Sequence, residues 1–236
     1  MAESAGSSKT EVELHEDKEG LALVGDGMVL RADFSEMLPR VQPERLQREL
    51  LIRAARIKDA ENPVAIDATA GLGEDSFLLA AAGFTVEMYE HNPTIAALLR
   101  DALERAADSP EFADIASRMH LHEEDSVAAL ERLAQTPDQA PEVVYLDPMF
   151  PKRHKTAAVK KKLQLLQQLE EPCTNEDAVV LIKAAVEAKP RKVVIKRPTK
   201  GPYLAGIKPA YTIEGKAVRF DCITPASLPA QTSDKE

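Results

Sequence analysis

The chain predicts an α/β fold: a mostly parallel sheet with helices on both faces and an antiparallel pair of strands at the C-terminal end. Three observations carry that prediction. From Val64 onward, short apolar runs alternate with helix-length segments, the pattern of βα units joined by right-handed crossovers. The run Val143–Leu146, VVYL, has no polar interruption, as expected of a strand buried on both faces of a parallel sheet. Tyr211–Ile213 and Val218–Ile223 flank the turn residues Glu214-Gly215-Lys216, which reads as a hairpin.

In chain order, residues 1–19 are polar and carry six carboxylates, so an acidic disordered tail is expected there. Gly20–Phe34 reads as a hairpin turning at Gly25-Asp26-Gly27, because Asp-Gly supplies the positive φ of a tight turn. Pro43–Lys58 reads as one helix, with Pro43 in its first turn and Leu46, Leu50, Leu51 and Ile57 roughly along one face. Its other face carries Arg45, Arg48, Arg53 and Arg56, either a solvated face or part of an RNA-contacting surface. Strands then follow at Val64–Asp67, Thr85–Tyr89, Met119–His122, Val143–Leu146 and Val193–Ile195. Helices are expected at Asp75–Ala82, Pro93–Ala107, Ser126–Ala134, Thr156–Leu169 and Glu176–Ala188. The resulting division is a tail over 1–19, a small N-terminal hairpin and helix over 20–60, an α/β domain over 61–224 and a loose tail over 225–236.

The totals narrow the classes. At 236 residues the chain holds one sizeable domain with a small appendage. Its apolar runs, such as Phe77–Gly83, fall short of a membrane span, and Met1–Thr10 lacks the apolar core of a signal peptide. Cys173 and Cys222 make neither a disulfide framework nor a metal-ligand spacing; reduced thiols in a cytoplasmic protein, with no metal, are expected. His15, His91, His120 and His122 have no ligand spacing either. The net charge is −9, yet residues 151–210 hold fourteen Lys/Arg against five Asp/Glu. That asymmetry points to one face meant for a polyanion.

Chemistry gathers at strand ends. Val64–Gly73, VAIDATAGLG, is a strand ending at Asp67 followed by a small-residue turn into a helix. Gly71 and Gly73 allow close backbone approach, and the helix N-terminus favours a nucleotide-like ligand. A dinucleotide fingerprint wants a third glycine where this chain has Ser76. Glu90 ends the second strand, placed to accept hydrogen bonds from both hydroxyls of a ribose, and His91 abuts it. Asp125-Ser126 follows the third strand, to reach an adenine amino group, to cap a helix, or to do both. The fourth strand delivers Asp147-Pro148-Met149-Phe150, the Asp-Pro-x-aromatic signature of methyltransferases acting on exocyclic amines. The Asp147 carboxylate and the Pro148 carbonyl would accept the two N–H groups of a poorly nucleophilic amine and favour the positive charge it develops. Phe150 would stack on the base. Lys152, Arg153, His154 and Lys155 follow directly, and Lys196-Arg197-Pro198 ends the fifth strand on the same edge. Of these, Lys152, Arg153, Lys155, Lys196 and Arg197 are expected to hold RNA phosphates.

On DATAGLGEDSFLLAAAG (67–83), YEHNPTIAALL (89–99), VVYLDPMFPKRHKTAAVKK (143–161), KVVIKRP (192–198) and GKAVRFDCI (215–223), the chain resembles the bacterial small-subunit ribosomal RNA guanine-N2 methyltransferases of the J type. The resemblance spans about Val64 to Ile223. It implies a Rossmann-like class I fold with seven strands, S-adenosylmethionine as cofactor, and small-subunit (16S) rRNA or the 30S subunit as partner. It also implies cofactor contacts at Glu74, Asp75, Glu90, His91, Asp125, Ser126 and Asp147, beside the turn of Asp67, Gly71 and Gly73. The chain departs from the family in having Glu74 and His91 where basic residues are common. The expected function is methyl transfer to the N2 amine of a guanosine. The alternatives are an adenine-N6 or protein-glutamine methyltransferase, a non-catalytic RNA-binding assembly factor, and a nicotinamide-dependent oxidoreductase.

Overall fold

The computed structural model describes residues 12–149, 165–166, 168–169 and 172–225. Strands β1 (Glu13–Asp17), β2 (Gly20–Gly25) and β3 (Met28–Leu30) form an antiparallel sheet of their own. The hairpin of β2 and β3 turns at Asp26-Gly27, both with positive φ. β1 corrects the expected tail. All five of its side chains are exposed, yet its backbone pairs with β2 from Glu13↔Val24 to Asp17↔Gly20. Polar composition marked the lack of burial there and was mistaken for a lack of pairing. Arg31 fastens the edge through Asp17 (2.7 Å) and Glu19 (3.1 Å).

Short helices follow: α1 (Leu38–Val41), α2 (Pro43–Leu46) and α3 (Leu50–Ala55). The single helix expected over Pro43–Lys58 is thus two. Glu49 leaves the helical region at φ −58°, ψ 130°. Its carboxylate is held by Arg40 Nε (2.9 Å) and Nη2 (2.8 Å), a bidentate partner that compensates the broken turn.

The main sheet holds β4 (Val64–Asp67), β5 (Thr85–Tyr89), β6 (Met119–His122), β7 (Val143–Leu146), β8 (Lys192–Pro198), β9 (Tyr211–Glu214) and β10 (Val218–Ile223). Its order is β6-β5-β4-β7-β8-β10-β9. The first five are parallel, and β10 runs antiparallel to both neighbours. From β4 the chain winds outward to β6, then returns to lay β7 on the other side of β4. This reversal opens a crevice at the carboxyl ends of β4 and β7, where ligands of open α/β sheets bind. β8 is longer than expected and takes Lys196 and Arg197 into the ladder rather than leaving them beyond it.

The longer chain segments between strands carry α4 (Glu74–Ala81), α5 (Pro93–Ala107), α6 (Ala113–Ala116), α7 (Ser126–Ala134) and α8 (Asn175–Glu187). The expected helix Thr156–Leu169 lies mostly outside the described residues; Leu165 is buried in the core. Side chains alternate across the sheet with the period of two that strands impose. Ala65, Val143, Tyr145 and Val194 join one core cluster with α3, α4 and α5, and with Leu23 and Leu30 of the small sheet. Ile66, Val144, Leu146, Val193 and Ile195 join the other with α7 and α8. Phe34 stacks on Phe77 at 4.5 Å between ring centroids, which ties the N-terminal segment to α4.

Candidate active site

The turn after β4 is a network built on Asp67, which is 1 % exposed. Its Oδ1 accepts from Thr69 N (3.0 Å), and its Oδ2 accepts from Ser76 Oγ (2.6 Å). Burial pushes its pKa up to about 7, against the pull of those two hydrogen bonds. Asp67 therefore shapes the turn rather than facing out of it. Ser76, which interrupts the dinucleotide pattern, is the hydroxyl that clamps Asp67 to α4. Gly71 and Gly73 have φ of +54° and +78°. At Gly73, the N-cap of α4, a Cβ would also lie 2.6 Å from Leu99 Cδ1, so only glycine fits there without strain.

Glu90 comes from the end of β5 and is 5 % exposed. Its Oε2 accepts from Gly71 N (3.0 Å) and its Oε1 from Asn92 N (2.8 Å). The acid is thereby aimed at the glycine turn. His91 is exposed, its Nδ1 3.9 Å from Glu90 Oε1. Asp125 caps α7 through Oδ1, which accepts from Val127 N (3.1 Å), so the capping reading of Asp125-Ser126 is realised.

At the end of β7 stands Asp147, with its side chain 40 % exposed. Its backbone N–H donates to Thr69 Oγ1 (2.7 Å), and Ala68 N donates to Tyr145 O (3.1 Å), so the ends of β4 and β7 are stitched together. Lys196 Nζ lies 2.9 Å from Asp147 Oδ2 and 2.6 Å from Asp75 Oδ2. Tyr145, buried in the same strand, donates its hydroxyl to Asp75 Oδ2 (2.6 Å). Burial raises the pKa of Asp147, and Lys196 pulls it down. The two carboxylates in turn raise Lys196 above its ordinary range despite the opposing effect of burial. The trio sets two carboxylates, Asp75 and Asp147, against the one ammonium of Lys196.

This placement corrects the phosphate-binding expectation for Lys196 and Arg197. The pleat sends Lys196 to the face of Val194 and Tyr145, onto Asp75. It sends Arg197 to the opposite face, where the residue is 5 % exposed and its Nε donates to Pro202 O (3.1 Å). Phe150, Lys152, Arg153 and Lys155 lie outside the described residues. Pro148 is buried, and Met149 O accepts from Cys173 N (2.8 Å). Three contributors escaped the sequence reading: Thr69, Tyr145 and the inward role of Lys196. Thr69 alone carried a local signal, standing two residues after Asp67 where side chain and backbone meet in an Asx-type turn.

The donor set fits S-adenosylmethionine better than a dinucleotide. Glu74 and Asp75 occupy the first turn of α4, so two carboxylates stand where a pyrophosphate would seek the helix N-terminus. A sulfonium and an ammonium are favoured beside them, and Glu90 suits the ribose hydroxyls. Among the described residues, no group of His, Cys, Asp and Glu is arranged to hold a metal ion, and no helix is long and apolar enough to cross a membrane.

The chain is similar to known methyltransferases. The family model for SAM-dependent methyltransferases matches residues 4–225. The ribosomal RNA small subunit methyltransferase J of Neisseria gonorrhoeae is 39% identical over 209 residues, 89% of this chain and 82% of the relative. The protein of the same name from Cellvibrio japonicus is 40% identical over 226 residues, covering 90% of this chain and 83% of its own. The crystal structure of a SAM-dependent methyltransferase from Neisseria gonorrhoeae superposes with a TM-score of 0.74 at 32% identity, over 96% of this chain and 88% of that one.

Proposed function

The chain belongs to the SAM-dependent methyltransferase family, and on that premise we propose that it methylates the exocyclic N2 amine of a guanosine in small-subunit (16S) ribosomal RNA. The observation that carries the reading is Asp147, fixed by Lys196 at the crevice between β4 and β7, within the same turn network that aims Glu90. The rRNA substrate is supported by the relatives named for it.

S-adenosylmethionine, when bound, supplies an electrophilic methyl group. The glycine turn and Glu90 would hold it, with Glu90 placed to meet the ribose hydroxyls. Asp125 has one oxygen beyond its capping bond to offer an adenine amino group. Asp147 accepts one N–H of the target amine and the Pro148 carbonyl accepts the other, which directs the nitrogen lone pair toward the methyl donor. The carboxylates of Asp75 and Asp147, set against the one ammonium of Lys196, favour the positive charge that grows on the nitrogen. Lys196 favours the ionised form of Asp147 against burial and fixes its position, so the acceptor is in place before the amine arrives. No strong base is required, because the alkylated nitrogen gives up its proton readily. The guanine must leave its stack to reach this point, and Phe150 is the ring assigned to receive it.

The test is incubation of the purified protein with small-subunit RNA, and separately with 30S subunits, and methyl-labelled cofactor, followed by nucleoside mass analysis. N2-methylguanosine is expected. Label in N6-methyladenosine, or in protein glutamine, would replace the proposal with one of its alternatives.

A further inference from the structure

α3 lies against β8, β9 and β10 and leads from the carboxyl edge of the sheet toward its amino edge. At its start, Leu50 packs on the β9–β10 turn, where a Cβ on Gly215 would lie 2.5 Å from Leu50 Cδ1. At its end, Lys192 Nζ donates to the carbonyls of Ala54 (2.7 Å) and Arg56 (2.9 Å). Lys192 begins β8, a strand of seven residues and so roughly 20 Å long. The catalytic crevice belongs to the carboxyl edge, the end where α3 starts.

Arg40, Arg45 and Arg48 stand at that end. With Glu49 and Leu50 they line a surface groove of about 360 Å³. Arg40 anchors the groove through its two bonds to Glu49. Its pKa is raised first by that hydrogen bonding, and further by the charges of Glu49, Asp75 and Glu74; α1, which carries Arg40, packs against α4. Arg45 and Arg48 are exposed, and neither forms an ion pair with a described residue. Across the Leu50–Gly215 contact two turns meet. Thr199 donates from N to Ala217 O and from Oγ1 to Gly215 O, both at 3.1 Å, which brings the exposed Lys200 and Lys216 into the same neighbourhood. Buried Arg219 fixes the first of these turns, donating from Nη1 to the carbonyls of Pro198, Thr199 and Gly201 at 2.8, 2.8 and 2.9 Å. The carboxylates nearby are Glu49, taken up by Arg40, Asp75, taken up by Lys196, and the exposed Glu44, Glu74 and Glu214, three against the four cations Arg45, Arg48, Lys200 and Lys216. The ledge is thus net positive on a chain whose net charge is −9.

We infer that Arg45, Arg48, Lys200 and Lys216 form a phosphate-gripping ledge that docks RNA at the carboxyl edge beside the catalytic crevice. The inference rests on the RNA-methylating reading above. Guanidinium forks match phosphate oxygens in pairs, and a cationic ledge in an acidic molecule steers a polyanion to one edge of the sheet. Arg40 takes no direct part; it holds Glu49 and so keeps that acid from the neighbouring arginines.

Two double variants with equal charge change separate the ledge from the general field. Arg45→Glu/Arg48→Glu alters the carboxyl edge. Lys58→Glu/Arg191→Glu alters the amino edge, where Arg191 Nη2 donates to Lys58 O (3.3 Å). Binding of full-length protein to small-subunit rRNA is measured across a salt series, with cofactor affinity and thermal unfolding as controls for folding. The ledge predicts that the first variant loses about tenfold or more in RNA affinity and that its log K against log salt slope shrinks by about 1.4, two single-strand phosphate contacts. The second variant is expected to bind as the parent does. Equal loss in both variants, or parental binding by the first, overturns the ledge while leaving the functional reading intact. A parent protein with no salt-dependent rRNA binding overturns the reading itself. Arg45→Gln/Arg48→Gln repeats the measurement without introducing new carboxylates, and a parental slope there also overturns the ledge.

Discussion

At Asp147, burial raises the carboxyl pKa and Lys196 opposes it, and the proposed orientation of the amine needs the ionised form. Lys196→Met leaves burial and the charge of Asp75 unopposed by that cation. The acidic limb of the kcat–pH profile is then expected to move to higher pH, with kcat at pH 7 down about tenfold or more; Lys196→Arg should restore much of it. A profile superimposing on the parent's would separate Lys196 from Asp147 function. Asp147→Ala removes the acceptor itself, and single-turnover methylation should fall by about 100-fold or more, with cofactor binding largely kept. Asp67 acts on stability instead. Its carboxyl titrates near 7 in the folded chain against 3.8 for the free side chain, so between those values the folded state holds a proton the unfolded state has lost. Its contribution is fully present below the unfolded value and is lost as pH rises through the folded one. The urea midpoint of the parent should therefore fall between pH 4 and pH 8 more steeply than that of Asp67→Asn.

Among the elements, the strand–turn–helix of β4 and α4 is the most demanding, and its two glycines differ. Gly71→Ala meets only the positive φ, since the nearest atom to a new Cβ is 3.9 Å away, and is expected to cost about 1–2 kcal/mol. Gly73→Ala meets the same backbone preference and drives a methyl into Leu99, so its cost should exceed that of Gly71→Ala by about 1 kcal/mol or more. Denaturant unfolding of the two variants side by side checks the order. α3 depends on Lys192 in a similar way, since its last carbonyls take their donor from the start of β8. This element-level logic was partly legible. The glycine turn, Glu90 and the Asp147-Pro148 strand end follow from local pattern. The break between α2 and α3 does not, because Glu49 leaves the helix to meet Arg40, a partner that helical periodicity does not register.

On the scale of the whole molecule, the small sheet and the main sheet share one apolar cluster, from Leu23 and Leu30 through Phe34 and Phe77 to Tyr145 and Val194. Removal of residues 1–33 would therefore uncover part of that core, and the truncated chain is expected to unfold at a clearly lower temperature than the full chain or to fail to fold. Cofactor should act in the opposite direction. S-adenosylmethionine at 100 times its Kd should stabilise the full chain by about 2.7 kcal/mol, read as a rise in unfolding midpoint that a nicotinamide dinucleotide does not reproduce.

The sequence by itself determined the α/β class, the order of the main-sheet strands in the chain with helices α4, α5, α7 and α8 between them, and the acids and glycines that end β4, β5 and β7. Those features are written in patterns of two to about twenty residues, set by backbone periodicity and by what glycine and proline permit. Only the tertiary structure decided which way the cations face. Lys196 and Asp75 are 121 residues apart in the chain, and Tyr145 and Asp75 are 70 apart, so no local pattern links them. A charged side chain reads the same in sequence whether the pleat turns it to solvent or onto a buried carboxylate. Asp75, in the first turn of α4, meets Tyr145 of β7 and Lys196 of β8, so Lys196 turns onto Asp75 and Asp147, while Arg45, Arg48, Lys200 and Lys216 stay exposed at the edge.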